Sequence, residues 1–527
     1  MRNPIAPLAL AGTLISSLSI PAFASAPSLP EAQRDSSWFT GGQENLEKSA
    51  AQPINNKPGA AKNIILFVGD GMGISTVTAA RILAGQQQGM SGEEYRLSFE
   101  EMPFAGLVKT YNTNQQTPDS AGTMSAIMTG VKTRAGMFGV TGDVPRGDCA
   151  ASRGRELVTA LELAEGLGKR TGVVSTARIT HATPAATYAK AAERGWEYSA
   201  PEGCRDIAAQ LVEFPYGDGI DVVLGGGRRA FLPKEVSDLE GEPGRREDGR
   251  NLVQEWQQRY AEKNNRDSKA SAAVYVEDRK AFVDVDPAAT GKLLGLFEPS
   301  HMRYEANRPQ DTASEPSLSE MTGKALAMLE RGKDGYFLMV EGGRIDHGHH
   351  AGSAHNALTD AVEFARAVRV AMDNTDPEDT LIIVTADHSH VFTMAGYPTR
   401  GNPILGKVVG NDSRGEPESE PKLADDGKPY TTLGYANGRG FAALGDETDA
   451  DVRYGLPASN GRRDLAEVDT TAPGFHQEAL VPTEAETHGG EDVGIWARGP
   501  GAHLLSGTRE QSYIFHVMAR SGGLLAD

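Results

Sequence analysis

Only two cysteines, Cys149 and Cys204, occur in 527 residues, so the chain can form at most one internal disulfide. In an oxidising compartment such a pair is most simply a disulfide, worth about 4 kcal/mol by chain entropy for a loop of this size. Two free buried thiols are the alternative. Long apolar runs are also missing. Past the N-terminus no segment is apolar for long enough to cross a bilayer. The tail Ser521–Asp527 carries no lipid-anchor signal, so no membrane association is expected. Basic residues are in deficit, 52 Lys and Arg against 71 Asp and Glu, for a net charge of -19. That balance argues against a nucleic-acid partner. It also repels an anionic substrate unless local cations and arginines reverse the field. Screening relieves a strongly acidic surface at high salt, so salt tolerance is expected. No internal repeat is visible.

What is present begins with a processing signal. Met1 and Arg2 make a small basic region, an apolar run follows through Ile20, and Ala22-Phe23-Ala24 and Ala24-Ser25-Ala26 are small-x-small cleavage candidates. Residues 1 to about 26 therefore read as a secretory signal peptide, and the remainder as an exported protein, periplasmic or extracellular.

Short apolar runs of buried-strand type occur at Asn63–Val68, Thr171–Thr176, Ile220–Leu224, Tyr336–Val340 and Thr380–Thr385. Helical patterns fall between them, after Gly73 through about Leu83 and at about 120–129, 156–167, 203–213, 317–331 and 355–373. The last carries Leu358, Ala361, Val362, Ala365, Val368 and Met372 at helical spacing, a core-facing stripe. This alternation predicts an α/β fold with a mostly parallel central sheet and helices on both faces. Ligands in such folds bind beyond the carboxyl ends of strands, where Asp70, Glu341 and Asp387 stand. A helical candidate, Gly42–Ala51, precedes the first strand. Two segments break the rhythm. Residues 233–290 read as a charged surface excursion with one helix near Leu252–Lys263, and 396 to about 485 as a subdomain inserted near the site mouth.

The densest chemistry is in Tyr336–His350, where Glu341 ends an apolar run and Asp346, His347, His349 and His350 follow within a few positions. Carboxylates and imidazoles so packed suit a divalent metal, and Asp346 and His350 share one face of a helical turn. A solvated loop with surface histidines is the bland alternative. Thr385-Ala-Asp387-His388-Ser-His390 and Glu486-Thr-His488-Gly-Gly-Glu-Asp492 offer further ligands. Ser120 stands at a predicted helix start, where it can be either an N-cap or a nucleophile favoured by the helix dipole and a nearby cation.

Together these stretches resemble the alkaline phosphatases. The motifs are Asp70-Gly-Met-Gly73, Pro118-Asp-Ser-Ala-Gly122, His181-Ala-Thr-Pro184, Glu341-Gly-Gly-Arg-Ile-Asp-His-Gly-His-His350, Thr385-Ala-Asp-His-Ser-His390 and Thr487-His-Gly-Gly-Glu-Asp492. They stand in family order across about residues 45 to 520, several closer to the animal enzymes than to the best-known enteric bacterial one. The resemblance implies one catalytic domain over 27–527, containing a crown-like insertion at about 396–485. It implies two zinc ions, one held by Asp346, His350 and His488 and one by Asp70, Asp387 and His388, and a magnesium ion held by Asp70, Thr183 and Glu341. These partitions agree with ligand chemistry, since imidazole–carboxylate sets suit zinc and oxygen sets suit magnesium. Arg194, thirteen positions after His181, falls at the phosphate-clamping arginine. His181 and His347 match positions that act through water on magnesium or phosphate. A calcium ion is implied near Phe297, Glu298 and Glu315, in a loop longer than the family's. Cys149 and Cys204 match a disulfide of the animal enzymes.

The implied activity is hydrolysis of phosphate monoesters of broad specificity through a phosphoserine on Ser120, in a homodimer. The N-terminal segment and the 396–485 insertion are the candidate dimer contacts. A phosphodiesterase of the same superfamily and a non-enzymatic exported zinc-binding protein are the rivals, and the second leaves Ser120 and Arg194 without a role. Cys149-Ala-Ala-Ser-Arg153 superficially resembles a sulfatase nucleophile motif, but Val158-Thr159 stand where Thr-Gly is needed.

Overall fold

Ile64 to Val68 are all fully buried, and a parallel strand lies on either side of them. A strand enclosed this way must be apolar along its whole length, which is why it reads as an unbroken hydrophobic run. The computed structural model describes residue 40 and residues 54–266, 272–311, 313–459 and 461–525. The expected leader (1–26), the helical candidate Gly42–Ala51 and the N-terminal dimer contact lie outside the described residues.

From Ile54 onward the chain packs as one unit around a central sheet of ten strands. In chain order these are β1 (Asn63–Gly69), β2 (Phe104–Lys109), β3 (Arg170–Arg178), β4 (Val222–Gly226), β5 (Ala272–Val276), β6 (Thr290–Leu296), β7 (Tyr336–Gly342), β8 (Thr380–Ala386), β9 (Val493–Arg498) and β10 (Gly507–Glu510). Their order across the sheet is β10-β2-β9-β8-β1-β7-β3-β4-β6-β5. Pairing is parallel except that β9 runs antiparallel to both β2 and β8. The fold is thus α/β with a mostly parallel sheet.

Two sets of helices cover it. One contains α1 (Ile74–Gln87), α3 (Leu318–Leu329) and α5 (Ala354–Asp373), and the other contains α2 (Ser120–Thr129) and α6 (Tyr513–Gly522). Between β7 and α5 lies the short α4 (Arg344–His350). The apolar stripe of α5 is buried, as its spacing predicts, through Leu358, Ala361, Val362, Ala365 and Val368. Among the described residues no helix is long and apolar enough to cross a membrane.

The expectation for 233–290 needs correcting. Besides the helix Leu252–Arg266, this stretch supplies the edge strand β5, and β6 begins at Thr290. A five-residue strand pairing on one side only leaves too short a pattern to separate from loop. The helical patterns at 156–167 and 203–213 shorten to Ala160–Gly166 and Ile207–Val212. Within 396–485 the chain is mostly turns, with Leu433–Gly438 pairing to Phe392–Met394 and Ala479–Pro482, and a 3-10 helix at Ala450–Gly455. Cys149 and Cys204 form a disulfide with Cα atoms 5.8 Å apart, so neither is a free thiol or a sulfatase-type nucleophile.

The register of the central strands decides where the chemistry gathers. Val68 pairs with Glu341 and with Thr385, and Gly69 with Gly342 and Ala386. Asp70 and Asp387 therefore leave two adjacent strands at one level, and Glu341 stands two residues earlier on the third, near the end of β7.

Candidate metal centre and nucleophile

Asp70, Glu341 and Asp387 are fully buried at the ends of β1, β7 and β8. Burial, then repulsion from Asp346, raises Asp70 to about 7. Burial and the Asp70 charge raise Asp387 to about 7, and the same two causes put Glu341 well above the carboxylate range. Both Asp70 oxygens, Glu341 Oε1, Thr183 Oγ1, His181 Nδ1 and His347 Nδ1 are buried without a hydrogen-bond partner. Buried polar atoms are otherwise almost always paired. Converging carboxylates with unshared oxygens form a donor set that fits divalent cations.

Beside them lies an imidazole-rich set. Asp346, His350, His390 and His488 each bring a ligand atom within 4.8 Å of the others. Helix α4 puts Asp346 and His350 on one face, with His350 Nε2 3.2 Å from Asp346 Oδ1. His390 Nε2 and His488 Nε2 reach the same oxygen at 2.9 and 3.4 Å. The antiparallel pairing of His488 with His390 brings in the distant residue. Burial raises the Asp346 carboxyl, but His350, His390 and His488 outweigh it and hold the group well below the usual range. Asp70, Asp346 and His388 form a further set, and Asp70, His181 and Glu341 another.

Ser120 is the first residue of α2, but the N-cap is Asp119, whose side chain accepts from Gly122 N. The capping alternative for Ser120 is therefore set aside. Its Oγ is buried, 3.1 Å from His388 Nε2. Asp119 Oδ2 also accepts from Gly136 N at 2.8 Å and pairs with Arg194 Nη1 at 3.1 Å. Arg194 Nη2 donates to His181 Nε2 at 3.0 Å. Thr183 is buried on the short helix Ala182–Ala185 next to His181.

Three residues given no role in the sequence stand out. His390 and Asp119 lie inside quoted motifs, and Asp119 carries a helix-start signal. His301 groups with His181 and His347, its ring 4.0 Å from that of His347, and no spacing in the sequence foretells it.

Glu298 and Glu315 meet elsewhere, with Asp311 beside them. Burial raises Glu298 to about 7, while burial and the Glu298 charge put Glu315 well above its usual range. Arg303 Nε lies 3.1 Å from Glu298 Oε1, and its main-chain N–H donates to Glu315 Oε1 at 2.8 Å. Glu315 Oε2 and Asp311 Oδ2 have no partner. Phe297 is buried against Phe282, with ring centroids 5.6 Å apart.

The alkaline phosphatase family model matches residues 61–524. The tissue-nonspecific alkaline phosphatase of Gallus gallus is 45% identical over 514 residues, covering 94% of this chain and 91% of that protein. The corresponding Homo sapiens isozyme is 42% identical, covering 98% and 93%. Among solved structures, Thermus thermophilus alkaline phosphatase superposes with a TM-score of 0.62 at 23% identity, over 95% of this chain and 97% of that one. The enzyme of the Antarctic bacterium TAB5 gives 0.58 at 21%, over 89% and 100%. These structural matches concern the fold, whereas the sequence matches span nearly the whole chain at well above 30% identity. The chain belongs to the alkaline phosphatase family, a family of metal-dependent enzymes, on its animal-type side, and is an enzyme acting on phosphate monoesters.

Proposed function

We propose that this is an exported phosphomonoesterase of broad specificity that works through a phosphoserine on Ser120. The observation that carries the reading is Ser120 Oγ, buried 3.1 Å from His388 Nε2 among residues with unshared ligand atoms. Asp346, His350 and His488 would hold one zinc ion, Asp70, Asp387 and His388 a second, and Asp70, Thr183 and Glu341 a magnesium ion. Bound there, the ions supply Lewis acidity, lowering the pKa of a nearby hydroxyl and offsetting phosphoryl charge.

The chain's own residues do the rest. Ser120 Oγ gives up its proton to solvent and attacks phosphorus, forming the P–Oγ bond as the bond to the alcohol oxygen breaks, and the departing alkoxide takes up a proton from solvent. Water then cleaves the phosphoserine and releases inorganic phosphate. Arg194, braced by Asp119 and His181, is suited to grip two phosphoryl oxygens and offset the charge that builds on them. No group here must recognise the alcohol, which supports broad specificity.

Three finer points belong to the same proposal. The protein works as a homodimer, supported by apolar side chains standing in solvent in the 396–485 segment, Tyr397 at 93% exposure and Leu480 at 85%. Light scattering showing a monomer would contradict this. A calcium ion between Glu298 and Glu315 is supported by their crowding with Asp311 and would be read by metal analysis. The charge of -19 supports salt tolerance, which fails if activity and melting temperature both fall steadily towards molar NaCl.

The deciding assay is hydrolysis of p-nitrophenyl phosphate between neutral pH and pH 11, before and after chelation, with a phosphodiester and a sulfate ester in parallel. Monoester turnover lost on chelation and restored only by zinc plus magnesium supports the reading. Better turnover of the diester or the sulfate would overturn the substrate assignment. Tight zinc binding without hydrolysis would overturn the enzyme mechanism.

A further inference from the structure

We propose that Glu486 is a positioning residue for the Asp346 centre, acting on two histidines at once. Its side chain is fully buried, with Oε2 accepting from His390 Nδ1 at 2.6 Å and Oε1 accepting from Val391 N at 2.8 Å. Its main-chain carbonyl accepts from His350 Nδ1 at 2.6 Å, and its main-chain N–H donates to the His350 carbonyl at 3.0 Å. One residue thus grips the His390 ring with its side chain and the His350 ring with its backbone. Both rings turn Nε2 to the same atom, Asp346 Oδ1, at 2.9 and 3.2 Å.

The three imidazoles around that oxygen are anchored in different ways. His350 and His488 rest Nδ1 on main-chain carbonyls, of Glu486 and of Pro118. His390 hydrogen-bonds Nδ1 to the Glu486 carboxylate, whose Oε2 lies farther, 3.6 Å, from His350 Nδ1. A carboxylate acceptor holds the Nδ1–H of a ring and its rotation more firmly than a neutral carbonyl does, and a ring set between two carboxylates donates from Nε2–H as well. Glu486, His390 and Asp346 therefore form a buried carboxylate–imidazole–carboxylate chain. In it Glu486 sets the ring and the ring holds Asp346 Oδ1, a group assigned above to a zinc ion. Glu486 touches no reacting atom, and its effect passes through His390 and through the backbone contact to His350. The inference rests on the reading of Asp346, His350 and His488 as zinc-holding.

The test is zinc retention during dialysis against graded chelator, followed by metal analysis, with the visible spectrum of the cobalt-substituted protein as a second readout. The proteins are wild type, Glu486→Gln, His390→Ala and the double variant. Glu486→Gln is expected to release zinc about 10- to 100-fold more readily and to shift the cobalt bands. In the His390→Ala background the same substitution should add little. Unchanged zinc retention and spectrum in Glu486→Gln overturn the proposal. Equal loss with and without His390 overturns it too, since the effect would not pass through that ring. Glu486→Asp keeps the charge but withdraws it by one methylene. It should fall between wild type and Glu486→Gln, and it serves alone should the glutamine variant not fold. Asp346→Asn, run alongside, separates the two levels. If that variant keeps its full zinc complement, the metal assignment fails, and the role of Glu486 falls with it.

Discussion

Asp119 Oδ2 lies 3.1 Å from Arg194 Nη1, while the other oxygen of the same carboxylate caps α2, the helix that begins with Ser120. One side chain thereby fixes both Ser120, the proposed nucleophile, and Arg194, the proposed phosphoryl clamp. Burial raises the Asp119 carboxyl, but Arg194 and two backbone N–H groups outweigh it and hold it below its usual range.

Removing this link should act on phosphate more than on folding. Asp119→Ala is expected to weaken inhibition by inorganic phosphate about tenfold, the effect of loosening one charge-assisted contact. The lost cap should cost about 1 kcal/mol of stability. An unchanged inhibition constant would show that Arg194 keeps its place without Asp119.

Metal removal should make stability depend on pH in a defined direction. In the metal-free chain Asp70 and Asp387 both sit near 7, against an ordinary value of 3.8. A raised native value means that the folded state keeps protons the unfolded state gives up. The contribution of these two carboxyls is then full below about pH 4 and is lost as pH rises through about 7. The melting-temperature difference between chelated wild type and chelated Asp387→Asn, which isolates one of these carboxyls from the buried histidines that titrate the other way, should therefore fall between pH 5 and 8, and zinc and magnesium should largely abolish that slope. Parallel slopes with and without metals would contradict it.

The disulfide is predicted to matter for stability and not for turnover. Cys149 and Cys204 are separated by 55 positions, and loop closure of that length is worth about 4 kcal/mol. Cys204→Ala should lose up to that amount in denaturant unfolding while keeping its activity at 25 °C. Loss of turnover in a folded variant would show that the bridge shapes the site.

Much of this was legible because the site is built from strand ends. β1, β7 and β8 read as apolar runs and β3 as a shorter one around Val173 and Val174, since each lies inside the sheet with neighbours on both sides. β2 and β9 do not read so easily. β2 exposes alternate residues, and β9 carries Gly494 and ends at Arg498. The ligand clusters of α4 and the end of β8 are local and dense, so spacing suggests them. Glu486 meets His390 across 96 positions, and His301 reaches His181 and His347 from a loop far from both in sequence. Such pairings depend on tertiary packing, which no local pattern encodes. The cap illustrates the finer difficulty, because Asp119 and Ser120 are adjacent and both suit an N-cap.

The most direct test of the phosphoserine on Ser120 is to quench the enzyme in acid during turnover of a phosphate monoester and to weigh the peptide that carries Ser120. That peptide is expected to carry one added phosphoryl group, and the Ser120→Ala protein to keep its metals but lose nearly all turnover. Normal steady-state rates in Ser120→Ala, with no phosphate on that peptide in the wild type, would contradict it.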